Sequence, residues 1–404
     1  MAQLLGIRIW RYKALGHVDL GRYKQGELAE PLPSFGCLIG PNGSGKSSVL
    51  DAFGFLADCL AENVEAACDK PHRGGFSRLR TQGEKGPIRF DIDFREHKGA
   101  RALSYRLAID ERNGIPFVAL EKLWTLGKLA EGSDKHPFLS LSDGHGEAWA
   151  GEDTEDSVKP VSVDLDDPSR LGITTLGQLK DHPHIVAFRA FIESWYLSYF
   201  VPDAARSLPP VGPQKHLSRT GDNLGNVVQY MERSHGPRFK TILEKIARRI
   251  PGIRSITHKK SEDGRLLLAF NETGYKDPFY AQSMSDGTLK LFAYLLLLEA
   301  PEARPFIGIE EPENGLYPKL VEHLATELKT HAEERETNVL VTTHSPYFVD
   351  ALTPEQVFII QRNDQGRSEI QRAADLPAIK ELVAEGLPLG SLWYSNHFHE
   401  RVSL

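Results

Sequence analysis

Three short stretches carry residue types that could act on a phosphate, and they lie far apart in the chain. The first, GPNGSGKSS, places Gly40, Pro41, Asn42, Gly43, Ser44, Gly45, Lys46, Ser47 and Ser48 in one loop. Glycines at positions 40, 43 and 45 allow backbone dihedrals closed to other residues, so successive N–H groups can converge on one anion. Phe35 to Ile39 ahead of the loop read as a buried strand, and Lys46 to Leu60 alternate at helical spacing. The loop is thus expected between a strand and a helix N-terminus, whose dipole favours negative charge. In that setting Lys46 would reach β- and γ-phosphates, and Ser47 would offer its hydroxyl to Mg²⁺.

The second stretch follows the apolar run RPFIGI and reads Glu310, Glu311, Pro312, Glu313. Acids at the end of a buried strand are costly unless they meet a cation or a proton donor. A Mg²⁺ ion shared with Ser47 and phosphate oxygens is the natural partner of Glu310. Glu311, one residue on, would position and polarise an attacking water, a contribution worth roughly a hundred- to ten-thousand-fold. The third stretch, NVLVTTHS, is a β-branched strand ending in Thr342, Thr343 and His344. A helix expected from about Lys319 to Arg335 joins the two strands into a βαβ unit. Both strand ends then share one edge of a parallel sheet, which brings His344 towards the γ-phosphate beside Glu311. A weaker candidate is the turn Ser285-Asp286-Gly287-Thr288, which opens the apolar helix LKLFAYLLLLEA. Its free N–H groups and the Ser285 hydroxyl could bind phosphate, although alone it reads as a capped helix.

The elements that must position these groups can be followed along the chain. LLGIRIWRYKAL and HVDLG read as strands before the loop; GPIRFDIDF, ALSYRLAID and PFVALEKLWTL follow its helix, the last two joined by the turn ERNG. From about 128 to 170 the chain is rich in Gly, Ser, Asp and Pro, with acids at Glu147, Glu152, Asp153, Glu155, Asp156, Asp164, Asp166 and Asp167. A solvated face accounts for these better than a metal site. Residues 176 to 200 read as one helical region, and NLGNVVQYMERS and FKTILEKIARRI as two more helices, the latter stopped by Pro251.

The 404-residue chain is long for one compact core, so two lobes or an inserted segment are expected. It is 40% hydrophobic and 25% charged, ordinary for a globular protein, with a formal net charge of -7 that argues against coating nucleic acid over the whole surface. Its longest apolar stretch, LFAYLLLLEA, has the length of a core helix rather than a membrane span. MAQLLGIRIWRYK lacks a signal-peptide layout, and three cysteines without a C-x-x-C pair suggest neither disulfides nor zinc, so a reducing cytoplasm is expected. Between Arg238 and Arg265 lie nine cations, Arg238, Lys240, Lys245, Arg248, Arg249, Arg254, Lys259, Lys260 and Arg265, against Glu244, Glu262 and Asp263. Such a stretch fits a phosphate-backbone footprint as well as it fits a solvated helix face. His397-Phe398-His399-Glu400 reads as a polar tail rather than a metal site, and GSLWYSNHF as a last packed segment.

Taken in order, GPNGSGKS, SMSDGT, FIGIEEPENGLYP and VLVTTHS resemble the motifs of ABC-type ATPases. More closely, the chain resembles the RecF/SMC/OLD-like branch, among free-standing ATPases common in bacteria and their defence loci. TGDNLGNVVQYM and IPGIRSI also fit that group, whereas the acidic middle, about 128 to 200, lies outside the resemblance. The resemblance implies an α/β head of P-loop NTPase type: a mixed central sheet with flanking helices, an antiparallel β subdomain and a helical/β insertion. It divides the chain into an N-terminal lobe at 1–125, an insertion or lid at 126–235 and a C-terminal lobe at 236–404.

It also implies ATP and Mg²⁺ as ligands, and an ATP-dependent homodimer or higher oligomer. In that pairing, Ser285 and the backbone near Gly287 meet the γ-phosphate on the other subunit, and hydrolysis at Glu311 releases the pair. Gln82 matches the family's metal-contacting glutamine. A second protein, a nuclease or toxin effector, is an expected partner; DNA is a further one, and a membrane is not. Asp286 and Glu310 depart from the more usual glycine and aspartate, which raises the prospect of slow turnover. The functional expectation is a switch in antiviral defence; a repair-type gap sensor is the alternative, and a transporter subunit ranks below both. The span between loop and turn has no heptads for long arms, and the 60 residues after His344 are too few for the nuclease domain fused to OLD proteins.

Overall fold

The computed structural model describes residues 1–126, 136–151, 160–300 and 304–399. Of the acids noted above, Glu152, Asp153, Glu155 and Asp156 lie outside the described residues, as does Glu400. The chain opens with β1 (Gln3–Tyr12) and β2 (Leu15–Leu20), an antiparallel pair, and then enters β3 (Phe35–Ile39), all five of whose residues are buried. The phosphate-loop motif leads into α1 (Lys46–Ala61). Next come β4 (Ile88–Arg95), β5 (Ala102–Arg112), β6 (Ile115–Thr125), β7 (Pro137–Ser142), β8 (His145–Ala148) and β9 (Val161–Asp164). These six join β1 and β2 in an antiparallel sheet ordered β9-β8-β7-β6-β5-β4-β1-β2.

The rest of the chain supplies α2 (Pro183–Glu193), β10 (Tyr196–Ser198) and α3 (Leu224–Arg249). A small sheet of β11 (Ile253–Lys260), β12 (Leu266–Glu272) and β13 (Phe279–Tyr280) leads to α4 (Asp286–Leu298). Then come β14 (Phe306–Glu310), α5 (Pro318–Arg335), β15 (Asn338–Thr343), β16 (Val357–Arg362) and β17 (Ser368–Arg372). The central sheet runs β10-β14-β15-β3-β16-β17 and is parallel except for β17. Its middle strands are near-continuous apolar runs because both faces are covered.

The two faces bury different partners. Phe35, Cys37, Ile39, Ile307, Ile309, Val339 and Val341 pack with α4 and α5, while Leu38, Phe306, Leu340 and Phe358 pack with α1 and the antiparallel sheet. Phe53 of α1 stacks on Phe306 at a ring separation of 4.4 Å, fixing the helix under the start of β14. α1 is therefore wedged between two sheets, and its N-terminus is held against the edge where the parallel strands end.

Two local expectations change. Residues 176 to 200 are not one helix: Pro183 starts α2 at its first turn, Ser194 ends it, and Tyr196–Ser198 pair with Ile307–Ile309 as an edge strand. The two helices expected after 222 form one element, α3, broken at His235 (φ -134°, ψ 24°). Pro237, two residues on, has no N–H to donate and disfavours helical geometry before it.

Candidate active site

Register decides what meets what. Glu310 is level with Thr342 across β14 and β15, and Thr343 is level with Ile39 across β15 and β3. Three strands therefore deliver the two acids, the histidine and the glycine loop to one edge.

In the loop, Gly43 and Gly45 have φ of 74° and 111°, in the left-handed region that favours glycine. A side chain at Gly40 would run into the carbonyl of Ile360, and one at Gly45 into the Ser368 hydroxyl. The far end of the chain also grips the loop directly. Arg362 Nε donates to Gly43 O at 2.7 Å, and Ser368 Oγ donates to Ser44 O at 2.6 Å. Gly45 caps α1 with no side-chain acceptor, and no acid sits in the helix's first turn. The N–H groups of that turn are thus open to an anion. The Ser44 hydroxyl is buried without a partner.

Lys46 is buried, its ammonium held by Gly40 O at 2.8 Å and Pro41 O at 3.0 Å. Burial pulls it below the ordinary lysine value, opposed by Glu311, Glu313 and Glu310. The Ser47 hydroxyl donates to Glu310 Oε1. Among the described residues no group of three or more His, Cys, Asp or Glu side chains is placed as a metal cluster. One hydroxyl beside one carboxylate suits a hard divalent cation that completes its shell with phosphate and water oxygens. The residues present therefore fit Mg²⁺ with a nucleotide.

Glu311 breaks out of β14 with φ 43°, a non-glycine residue in the left-handed region. Its N–H still donates to Thr342 O at 3.0 Å, so the backbone stays tied to β15 while the side chain turns away from the strand line. One carboxylate oxygen lies 3.3 Å from His344 Nε2; the other accepts from Asn314 Nδ2 at 2.8 Å. The His344 N–H donates to Glu313 Oε1 at 2.6 Å. Burial, and then the nearby Lys46, lower the His344 ring below its usual value, against Glu311 and Glu313.

The Ser285 turn belongs to the same neighbourhood by a different route. Ser285 caps α4, accepting from Thr288 N–H at 3.2 Å, and a Cβ on Gly287 would lie 2.5 Å from Gly315 O. The helix start thus packs on the loop that follows Glu311, yet no hydrogen bond ties Ser285 or Gly287 to Gly40–Ser48. Asp286 pairs with Arg206, which also donates to Met284 O at 2.9 Å, so its carboxylate is neutralised locally. Gln82 lies exposed on a turn and makes no hydrogen bond to Ser47 or Glu310.

Sequence reasoning missed one wall of the site. Beyond Ser47 and Ser48 opens a cleft of about 510 Å³ lined also by Lys13, Asp51, His72, Tyr199, Arg219 and Thr220. Asp51 sits at its floor, 2.5 Å from Lys13 Nζ and 3.0 Å from Arg73. Burial would raise its carboxyl, but Arg73, Lys13 and Tyr12 bring it down to about 2. Tyr199 directly follows β10, so reading 176 to 200 as a helix hid it.

Elsewhere, Lys245 and Arg249 pair with Glu299, Arg249 also with Glu327, Arg248 with Glu244 and Arg265 with Asp263. Arg238, Lys240, Arg254, Lys259 and Lys260 are exposed and make no ion pair among the described residues. His397 to His399 form a short turn with Phe398 buried beneath it.

Comparison with known proteins accords with this architecture. The model of the family described as AAA domain, putative AbiEii toxin, Type IV TA system matches residues 35–350. No curated protein sequence matches the chain. Among solved structures, the chain is similar to an SMC head bound to the C-winged helix domain of ScpA, with a TM-score of 0.53 and 15% identity over 91% of this chain and 97% of that one. It is also similar to the Pyrococcus furiosus SMC head domain with an extended coiled coil bound to the C-terminal domain of ScpA, with a TM-score of 0.52 and 14% identity over 95% of this chain and 100% of that one. These likenesses establish an SMC-head fold, and the family match spans most of the chain. The protein belongs to the AAA domain family described as putative AbiEii toxin, Type IV TA system, and is an ATPase domain of RecF/SMC/OLD-like ABC type.

Proposed function

We propose that the chain binds ATP with Mg²⁺ and hydrolyses it, using the energy state of the nucleotide to pair with a second copy. The observation that carries this reading is the convergence of Glu310 on Ser47 and of His344 on Glu311 at the edge that also holds Lys46. Gly40 to Ser48 cradle the phosphates, Lys46 offsets their charge, and the nucleoside occupies the cleft beside Tyr199 and Arg219. Mg²⁺, when bound, supplies charge neutralisation at the phosphate oxygens, and Ser47 and Glu310 are the residues that would hold it. Glu311 takes a proton from water, and His344 orients that carboxylate from its other side. Ser285 and the N–H groups around Gly287 meet the phosphate bound by the partner copy, since no hydrogen bond joins them to their own cradle.

A second protein reads this switch; the toxin system in the family description supports an effector in bacterial defence. The five cations between Arg238 and Lys260 that make no ion pair among the described residues support contact with a nucleic-acid backbone during that response. Three free, buried cysteines support a reducing compartment, and no helix among the described residues is long and apolar enough to cross a membrane. The deciding experiment is Glu311→Gln in the full chain, measured for phosphate release and for mass in solution with ATP and Mg²⁺. Retained binding, lost turnover and an accumulated dimer support the reading; normal turnover overturns it.

A further inference from the structure

α4 carries one basic residue in a mostly apolar helix, and that residue is buried. Lys290 lies one turn beyond Asp286, only 4% exposed, among Leu289, Leu291, Phe292 and Tyr294. It makes no ion pair within salt-bridge distance among the described residues. Its ammonium donates instead to Glu311 O at 3.2 Å. A buried cation without a close counter-charge is expensive, so its placement calls for a return elsewhere. Burial lowers its affinity for the proton, and Glu313, Glu311 and Asp286 act against that. Nearby, Glu313 Oε2 and the Tyr294 hydroxyl are buried without hydrogen-bond partners.

We propose that Lys290 is a positioning residue for Glu311: it holds the Glu311 carbonyl and fixes the left-handed backbone that aims the carboxylate. This rests on the proposed role of Glu311 as base. The geometry is specific. The left-handed conformation at Glu311 is unfavourable for a non-glycine side chain, and the residue immediately following is Pro312, which cannot donate to hold the turn. The Lys290 bond is the one side-chain donor on the Glu311 carbonyl among the described residues. Because Lys290 shares α4 with the Ser285 turn, and Gly287 abuts Gly315, movement of that turn reaches Glu311 through the same ammonium.

The test compares ATP hydrolysis by the wild-type chain, Lys290→Gln, Lys290→Arg and Glu311→Gln, with nucleotide binding measured in parallel. Lys290→Gln is expected to lower kcat by about ten-fold or more while KM stays within about two-fold, because the interaction serves the transition state rather than binding. Lys290→Arg, which keeps a charged donor, should recover most of the rate. A wild-type kcat in Lys290→Gln, with Glu311→Gln inactive, would overturn the proposal alone. A folded Lys290→Arg that turns over about ten-fold more slowly than the wild type would overturn it too, and that variant remains informative if the glutamine variant misfolds. Active Glu311→Gln would instead remove the base assignment on which the proposal stands.

Discussion

Glu311 and His344 approach to 3.3 Å across two neighbouring parallel strands, although 33 residues separate them in the chain. Neither is at the end of its strand by accident of length. Glu311 leaves β14 with a left-handed turn, and His344 is pinned by its own N–H to Glu313. The pair is held by backbone from both sides before any ligand arrives, which is the preorganisation that the proposed hydrolysis would need.

Lys46→Ala should abolish useful nucleotide binding. The ammonium is already desolvated and held by two carbonyls that cannot neutralise it, so phosphate is its best available partner. A loss of roughly a hundred-fold in affinity, about 2.7 kcal/mol, is expected in a fluorescent-nucleotide titration. Unfolding temperature without nucleotide should change little by comparison.

The His344 ring should titrate below the free-histidine midpoint of 6.5, because burial and Lys46 both oppose its charged form. A depressed folded value means that the unfolded chain binds the proton more readily. Stability is therefore retained above pH 6.5 and lost as pH falls through the folded midpoint. Nitrogen-detected NMR of the ring gives the midpoint directly; a value at or above 6.5 would contradict the placement.

Glu121 gives a second pH effect with the opposite sign. It is fully buried in β6, accepting from the Tyr105 hydroxyl at 2.9 Å and from the N–H groups of Gly172 and Ile173. Burial raises its carboxyl from 4.5 to about 7, despite those hydrogen bonds. The folded protein then holds the proton more tightly than the unfolded chain, so stability falls as pH rises from about 4.5 to about 7. The change is on the order of 3 kcal/mol. Thermal unfolding of Glu121→Gln between pH 5 and 8 should lack that component.

Gly287→Ala should uncouple the α4 turn from the diacid loop. The added methyl would sit 2.5 Å from Gly315 O, a backbone atom that cannot swing aside. Overpacking of this kind costs about 1–3 kcal/mol. Reduced turnover with intact binding to the cradle is the expected result, read by phosphate release and nucleotide titration.

What the chain announces in its letters is what depends on local pattern. Gly43 and Gly45 fall where left-handed backbone is needed, and the apolar runs before Glu310 and His344 become the buried strands that carry them. Features made by tertiary pairing were silent. β10 is three residues long and exists through its pairing with β14, so Tyr199 gave no strand signal. Lys290 sits in a helix whose neighbours are all apolar, where periodicity cannot reveal which carbonyl it will reach. Arg362 and Ser368 are ordinary polar residues until β16 and β17 lay them on the glycine loop.

That last contact has a consequence for biosynthesis. The carbonyl beneath Gly40 and the side chains that fasten Gly43 and Ser44 come from positions 360 to 368, more than 300 residues downstream. A ribosome releases every recognisable motif before it releases these clasps. A nascent or clipped polypeptide ending near residue 350 would display a full set of signatures around an unfastened pocket, so competence would arrive only with the final strands.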